Sequence, residues 1–475
     1  MATTYASVVA EHDGTHHQSS NSDRKPTLII YGATSFTARQ LILYLDTHTD
    51  GKLFDFILAG RNQTKLETTN QKLAGGKRKI AVCQLNDEEA VKKLVEKGDV
   101  VVNLAGPFRW HNAEALIREC ARTGKHYVDL NGESAWLATE IIPRYHDLAS
   151  STGACIVPSC GFDSVPSDIT LYTALKTLQT KYGKQATIAD STSLFKLKGG
   201  SMSGGTIQTM YSVAELPKDQ RRSGEFDLVP KSAPLASRRS TIPSLAYALD
   251  IPGQAKRFAS FFFMYPFNRT IIRRSAYLST FNDNDDQTQS IAQGNGNGSP
   301  DAEPVHDLTK EMKYAEGMDT GKGKWGSGLF SAGLFLAFGL FFGSSLIRKL
   351  ASYILPKAGE GATDENLHKA SYVVTNVSTS NPLPEIGTVK VITTFKAHGD
   401  PGYLSTCHLL AESALSLVLP PPSSSTSLPP LARKGGCLTP ATALGGVLVD
   451  RLNRSGKVTI ESRVVESEVG KKKDL

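Results

Sequence analysis

The chain has 475 residues, of which 40% are hydrophobic and 21% are charged, and its formal net charge is +7. These fractions are ordinary for a globular protein and exclude wholesale disorder or a collagen-like fibre. At about 150 residues per domain, the length predicts two or three domains. The slightly negative mean hydropathy excludes a polytopic membrane protein but leaves room for one apolar segment.

Cysteine usage and charge distribution narrow the function classes further. The six cysteines are scattered, without CxxC pairs or a partnering histidine cluster, so we expect neither a disulfide scaffold nor a metal site. The positive charge is spread along the chain without a recognition-helix, zinc-finger or aromatic RNA-binding signature. We therefore expect no nucleic-acid partner.

The first third of the chain alternates between two kinds of segment. Residues 1–25 are polar, and we interpret them as a disordered tail. In residues 26–160, short apolar runs alternate with stretches of helical spacing and charged faces. This pattern predicts βαβ units. The predicted fold class is α/β, with a Rossmann-type doubly wound parallel sheet that forms an NAD(P)-binding domain.

The rest of the chain is expected to form a second, α+β substrate domain with a hydrophobic membrane-associating insertion. The predicted segments are the first part of the substrate domain (161–281), a flexible linker (282–328), the hydrophobic segment (329–355), the second part of the substrate domain (356–436), and a C-terminal helix and strand that return to the core before a basic tail (437–475). The linker is predicted because its composition is too polar to bury a core. Within the first part, residues 187–215 are expected to be extended and β-rich.

The sharpest chemical signal follows the first predicted strand. A turn from strand to helix leaves the first N–H groups of the helix unpaired, and these groups favour an anion such as pyrophosphate. Gly32 allows the tight turn, while Ser35 and Ala38 stand where the usual second and third glycines would be. The predicted cofactor loop comprises Gly32, Ala33, Thr34, Ser35, Phe36 and Thr37.

Two further segments are predicted to contact the cofactor. The second strand ends in Arg61 and not in an acidic residue, which favours a 2′-phosphate and hence NADP(H) over NAD(H). The alternative is a surface arginine that starts the next helix. After the fourth strand, Ala105, Gly106 and Pro107 are candidates for contact at the carboxyl end of the sheet, unless they simply turn the chain into a helix.

These motifs, followed by 127–133 and 159–168, resemble the saccharopine dehydrogenase-like oxidoreductases, which include the trans-acting enoyl reductases of bacterial glycolipid assembly. The similarity extends over roughly residues 26–465. It implies a Rossmann domain, a substrate domain with its own sheet, and NADP-linked reduction of a lipid-type substrate. The chain departs from similar sequences at Ser35, at Ala38 and at 109–112, where a Tyr-Gly step is usual.

Hydride transfer to a substrate also requires a proton donor. The candidates are His111, whose ordinary pKa lies near neutrality, and Asp163 with Ser164 after the sixth strand. Each has an alternative structural role. His111 could cap a helix, and Asp163 with Ser164 could fix a turn.

Two stretches predict contact with lipid. Residues 325–347 carry no charge, and as a helix they would reach ~34 Å, enough for the ~30 Å hydrocarbon core. Because the segments on both sides complete one fold, we favour a helix or hairpin embedded from the cytosolic side over a spanning helix or a buried core helix. Residues 256–274 combine aromatic and basic side chains, which suits an anionic headgroup surface or the mouth of a lipid-binding pocket.

The leading hypothesis is an NADP(H)-dependent oxidoreductase that reduces a C=C or C=O bond in a lipid-type substrate, in lipid or glycolipid metabolism. We expect it on the cytosolic face of a membrane, at the endoplasmic reticulum or a lipid droplet, and a homo-oligomer is compatible with the sequence. The final residues 472–475 match a two-lysine retrieval pattern, or form a solvated basic tail. The alternatives are a non-catalytic lipid-surface protein with a Rossmann scaffold, and saccharopine dehydrogenase itself.

Overall fold

The computed structural model describes residues 24–200, 203–217, 220–221, 224–279, 312–355, 363–424 and 426–465. The predicted tail lies outside the described residues except for Arg24 and Lys25, and so does the C-terminal two-lysine pattern. The strands are β1 (Thr27–Tyr31), β2 (Asp55–Gly60), β3 (Lys79–Val82), β4 (Val100–Asn103), β5 (His126–Asp129), β6 (Cys155–Val157), β7 (Ile188–Lys198), β8 (Ala246–Leu249), β9 (Arg257–Phe261), β10 (Lys313–Met318), β11 (Ser371–Ser380), β12 (Lys390–His398), β13 (Gly436–Cys437) and β14 (Val458–Val465).

The helices pack on both faces of the first sheet and around the second sheet. They are α1 (Phe36–Asp46), α2 (Gln63–Ala74), α3 (Glu88–Val95), α4 (Glu114–Thr123), α5 (Ser134–Trp136), α6 (Ile142–Thr152), α7 (Val165–Tyr182), α8 (Gly204–Glu215), α9 (Tyr265–Ser279), α10 (Gly323–Gly343), α11 (Ser345–Ala351), α12 (Asp364–Lys369), α13 (Thr406–Val418), α14 (Pro430–Lys434), α15 (Pro440–Ala443) and α16 (Gly445–Arg454). Single π-helical turns join α5 to α6 at Leu137–Ile141 and precede α13 at Pro401–Ser405.

The first sheet is parallel throughout and has the strand order β13-β6-β5-β4-β1-β2-β3. The order reverses between β1 and β4, as in doubly wound dinucleotide-binding sheets. Its central strands are continuous apolar runs, because helices cover both faces, and Leu28, Ile29 and Ile30 are fully buried. The predicted Rossmann-type domain is confirmed.

The second sheet is mixed and has the order β14-β12-β11-β7-β10-β9-β8, with β10 parallel to β7 and the other pairs antiparallel. The predicted linker at 282–328 is wrong where it is described, because β10 lies inside the sheet and α10 begins at Gly323. The polar composition of β10 favours a linker, although the strand lies between β7 and β9 in the sheet. Its Glu316 is fully buried and accepts a 2.9 Å hydrogen bond from Asn268 Nδ2. Residues 204–215, expected to be extended, form α8.

The C-terminal part of the chain returns to the first sheet earlier than predicted. Helix α13 packs on α1, where Cys407 Sγ donates to the carbonyl of Thr37 at 3.1 Å and Tyr44 donates to Glu412 at 2.5 Å. The segment predicted as the second part of the substrate domain is therefore divided. Its strands β11 and β12 belong to the second sheet, and α13 packs on α1, β4 and β5 of the nucleotide-binding domain.

The basic residues of α9 do not form a headgroup surface. Arg273 is buried against Glu225, with 2.6 Å between the guanidinium and the carboxylate. Burial raises the pKa of Glu225, but the Arg273 charge and hydrogen bonds from Arg273 and Thr241 outweigh burial and leave this pKa below its ordinary value. Arg274 donates to the carbonyls of Cys437 and Leu228, and burial lowers its pKa to about 10. The headgroup interpretation is wrong for the three arginines of α9, because these cations are buried in the interior of the fold, whereas Lys256 before β9 is exposed.

Helix α10 is the apolar segment predicted from the sequence. Within the described residues it is the one helix that is long and apolar enough to cross a membrane. The alternative of a buried core helix is wrong, because only 17% of its most apolar window is buried.

Candidate active site

A cavity of about 1330 Å³ opens at the carboxyl ends of the parallel strands. The segments that follow β1, β2, β4, β5 and β6 all contribute to its wall. Ligands of doubly wound sheets bind at this edge, at the point where the strand order reverses. The opposite wall comes from α8, from the β9–α9 junction and from α10, so that both domains enclose the cavity.

The turn after β1 is shaped to hold an anion. Gly32 has φ +78°, and a Cβ atom there would lie 2.9 Å from the backbone nitrogen of Ala105. Ser35 is the N-cap of α1, and its Oγ accepts from the N–H of Ala38 at 3.1 Å. In the described part of the chain, the N–H groups of Phe36 and Thr37 have no acceptor, as expected for the first turn of a helix. A diphosphate fits this position.

The predicted cofactor residues divide into two groups. Ala33–Thr37, Arg61 and Gly106 line the cavity. Gly32, Ala105 and Pro107 do not, but Gly32 and Ala105 pack against each other beneath the turn. Ser35 is accommodated because its side chain caps the helix and leaves the next two N–H groups unpaired.

The part of the cavity beside the end of β2 is basic. Arg61 is exposed, follows β2 directly and makes no ion pair with any residue that the structure describes. Lys65 and Lys72 of α2 line the same part of the cavity. A free guanidinium at the end of the second strand is suited to a 2′-phosphate and not to an unmodified ribose.

Among the proton-donor candidates, the structure brings Asp163 into the cavity. No residue in the described ranges forms a hydrogen bond or an ion pair with its carboxyl group, and burial raises the pKa of Asp163 to about 6. The carboxyl is placed by a rigid turn, in which Ser164 and Val165 donate their N–H groups to the carbonyl of Gly161. An acid with this pKa can hold a proton near neutral pH.

The other two candidates lie elsewhere. Ser164 is fully buried outside the cavity wall, and its Oγ is 3.3 Å from Oδ1 of Asn268. His111 is exposed in the turn before α4 and does not line the cavity. Partial desolvation of its ring and the charge of the nearby Arg61 lower the pKa of His111. The segment that contains His111 leaves the cavity wall after Phe108, whose N–H group donates to the carboxylate of Glu133 at 2.8 Å. Of the three candidates, Asp163 is therefore the one that lines the cavity.

Two residues at the site, Asn131 and Tyr403, were not predicted from the sequence, whereas Glu133 belongs to a polar cluster that the sequence places at the end of the fifth strand. Asn131 lines the cavity and is 1% exposed, and its Nδ2 has no hydrogen-bond partner among the described residues. Glu133 accepts from Ser212 of α8 at 2.7 Å and so ties the loop after β4 to the substrate domain. Tyr403 forms part of the cavity wall beside the anion-binding turn, with its ring 4.8 Å from that of Phe36.

The end of the cavity away from the anion-binding turn is mainly apolar, with one cation, Arg221, whose guanidinium donates to the carbonyl of Phe342 at 2.9 Å. Its apolar side chains come from the β9–α9 junction and from the inner face of α10, and they are Phe261, Phe263, Met264, Phe267, Phe335, Phe338 and Phe342. The run of phenylalanines at 261–267 was the sequence signal for this wall. Of the two interpretations of that stretch, the pocket mouth agrees with the structure.

Comparison with known proteins is consistent with this geometry. Residues 28–157 match the family model of the saccharopine dehydrogenase NADP binding domain. A putative trans-acting enoyl reductase of Mycobacterium tuberculosis is 28% identical over 452 residues, which are 91% of this chain and 96% of the relative. A trans-acting enoyl reductase of Mycobacterium leprae is 26% identical over 466 residues, or 93% of this chain and 99% of the relative.

Among solved structures, the apo form of histidine-tagged saccharopine dehydrogenase (L-Glu forming) from Saccharomyces cerevisiae aligns with a TM-score of 0.48. The two sequences are 14% identical, and the alignment covers 93% of this chain and 100% of that chain.

The sheet order, the anion-binding turn and the matched domain define an NAD(P)-dependent oxidoreductase. More particularly, the chain has a saccharopine dehydrogenase-type NADP-binding domain, and the resemblance predicted from the sequence is confirmed. The predicted preference for NADP(H) is confirmed by the same match.

Arg61 provides a specific test of this preference. We expect Arg61→Ala to weaken NADPH binding by roughly 10- to 100-fold, the value of one charge-assisted contact to phosphate, and to change NADH binding less than about twofold. Fluorescence titration with both nucleotides measures the effect. The control is Arg118→Ala, which removes an exposed arginine of α4 that pairs with Glu88 away from the cavity. If Arg61→Ala weakens NADPH and NADH binding equally, Arg61 stabilises the fold and does not contact the 2′-phosphate.

Proposed function

We propose that this oxidoreductase uses NADPH to reduce a C=C or C=O bond in a lipid-type substrate, at a membrane or lipid-droplet surface. One observation carries the proposal. A single cavity has the anion-binding turn of α1 at one end and seven apolar side chains at the other. A nucleotide bound at the first end leaves an apolar chain as the complementary ligand of the second.

The residues of the chain support this chemistry in distinct roles. When bound, NADPH supplies a hydride to an electrophilic carbon. The carboxyl group of Asp163 would supply the proton, because it faces the cavity without a partner in the described chain. The Nδ2 of Asn131, which has no acceptor among the residues that the structure describes, would donate to a carbonyl oxygen of the substrate. The apolar wall excludes water and strengthens both interactions.

The proposed type of double bond and the proposed location rest on two separate observations. The names of the relatives favour an enoyl group, and hence C=C reduction in lipid or glycolipid metabolism. The exposed apolar helix α10 favours a location on the cytosolic face of a membrane, such as the endoplasmic reticulum, or on a lipid droplet. Saccharopine dehydrogenase activity is less well supported, because a charged amino-acid conjugate does not match seven apolar side chains.

Nucleotide oxidation tests the proposal. Full-length protein is mixed with NADPH and either trans-2-decenoyl-N-acetylcysteamine or 2-decanone, and absorbance is followed at the nicotinamide band. We expect NADPH oxidation with the enoyl thioester, which corresponds to C=C reduction. Oxidation with the ketone would instead indicate C=O reduction. NADPH binding without oxidation by either compound would instead support the non-catalytic scaffold.

A further inference from the structure

Helix α10 presents two apolar faces to different surroundings. On its inner face, Phe335 and Phe338 line the cavity. On its outer face, Trp325 is 85% exposed, Leu329 77% and Leu336 64%. These outer positions follow one another by four and seven residues, which places them in one stripe along the helix. The helix is therefore a wall between the cavity and the surroundings of the protein.

The inner face is fixed to the second sheet. Ser327 and Ser331 are fully buried, and the Oγ of Ser331 accepts from the backbone N–H of Phe261 in β9 at 2.7 Å. The ring of Phe335 lies 4.5 Å from that of Phe261. Because β9 and the edge strand β8 both pack against α10, a membrane-spanning placement of α10 would carry a sheet edge into hydrocarbon, where open sheet edges do not occur. A helix lying in the plane of the interface avoids this.

Charge at both ends of α10 indicates what the outer face contacts. Residues 321–355 contain two lysines before the apolar stretch, an arginine and a lysine after it, and no acidic residue. Lys322, Lys324 and Lys349 are exposed. The apolar surface continues into α11, where Leu346 and Leu350 are 64% and 54% exposed. An apolar face flanked by cations is complementary to an anionic phospholipid surface.

We propose that α10 lies in the interface of an anionic phospholipid bilayer, and that an acyl chain passes from the bilayer around α10 directly into the apolar end of the cavity. The outer face then contacts lipid chains, and the inner face contacts the substrate. The acyl chain does not cross water on this route, because α10 borders both the bilayer and the cavity. Both the bilayer contact and the identity of the passing molecule rest on the proposed function, the first on its location and the second on its substrate.

Vesicle flotation tests the bilayer contact. The full chain is mixed with vesicles of 70:30 phosphatidylcholine and phosphatidylserine or of phosphatidylcholine alone. We expect flotation with the anionic vesicles and at least tenfold less with the neutral ones. Leu336→Asp should reduce flotation at least tenfold without changing the melting temperature, since Leu336 is exposed. Phe338→Ala, on the inner face, is the matched control and should float like the unmodified chain.

Transfer of cis-parinaric acid, a fluorescent fatty acid, tests the route. We expect Leu336→Asp to slow its transfer from vesicles at least tenfold while changing the affinity for the acid added from water by less than twofold. Phe338→Ala should weaken binding from either source. Undiminished flotation of Leu336→Asp would overturn the bilayer contact, and undiminished transfer would overturn the route. An unmodified chain that floats but binds no parinaric acid would contradict both the route and the proposed lipid substrate.

Discussion

Asp163→Asn is expected to lower the rate of NADPH oxidation with the enoyl thioester by roughly 10²- to 10⁴-fold, the usual contribution of a positioned general acid. Asparagine keeps the shape of the side chain but cannot release a proton to the product. NADPH affinity should change less than about twofold, because the anion-binding turn belongs to a different segment. Asp163→Glu should recover part of the rate. If Asp163→Asn oxidises NADPH as fast as the unmodified chain, Asp163 is not the proton donor.

The pH dependence separates proton donation from a structural role. The pKa of Asp163 is raised to about 6 by burial, so the carboxyl is protonated below this pH. The rate limited by this donor should fall as pH rises through about 6, and Asp163→Asn should lose that dependence. Ionisation of a carboxyl with a raised pKa also destabilises the fold. Asp163→Asn should therefore be more stable than the unmodified chain above pH 6, by at most about 3 kcal/mol, and the difference should vanish below pH 4.

Gly32→Val should reduce NADPH affinity by roughly 100-fold or more. At φ +78° any L side chain is strained, and a Cβ atom would meet backbone atoms of Leu104 and Ala105 at 3.0 and 2.9 Å. Backbone atoms cannot yield as a flexible side chain can, so the turn itself must move and displace the first N–H groups of α1. Calorimetric titration measures the loss.

The control for this substitution is Gly333→Ala on the outer part of α10, where an added Cβ meets no atom within 4 Å. Circular dichroism of both variants shows whether the fold is retained at the temperature of the titration. A folded Gly32→Val protein with undiminished NADPH affinity would remove the diphosphate from this turn.

The nucleotide half of the site could be predicted from the sequence because its signals are local. An apolar strand, Gly32 and the following helix define the anion-binding turn within a few residues. Arg61 is likewise identified by its place at the end of β2. The assignment of a proton donor was less determined. His111, Asp163 and Ser164 are equivalent in the sequence, and only the packing of the second domain brings Asp163 into a shared cavity.

The second sheet and the apolar wall depend on contacts between distant segments. Strand β10 looked like linker because its polar residues are satisfied by partners elsewhere, such as Asn268 for Glu316. The arginines of α9 suggested a surface because Glu225, the partner of Arg273, lies 48 residues away. Helix α10 is apolar on every side, so no periodicity in its sequence could show which face lines the cavity.

The most direct test of the account is a structure of the full chain with NADP⁺. We predict that the diphosphate contacts the N–H groups of Phe36 and Thr37, that the 2′-phosphate lies beside Arg61, and that the nicotinamide ring extends toward Asp163. A nucleotide bound away from this turn, or side chains that fill it and exclude the nucleotide, would contradict the assignment of the cavity as the site of reduction.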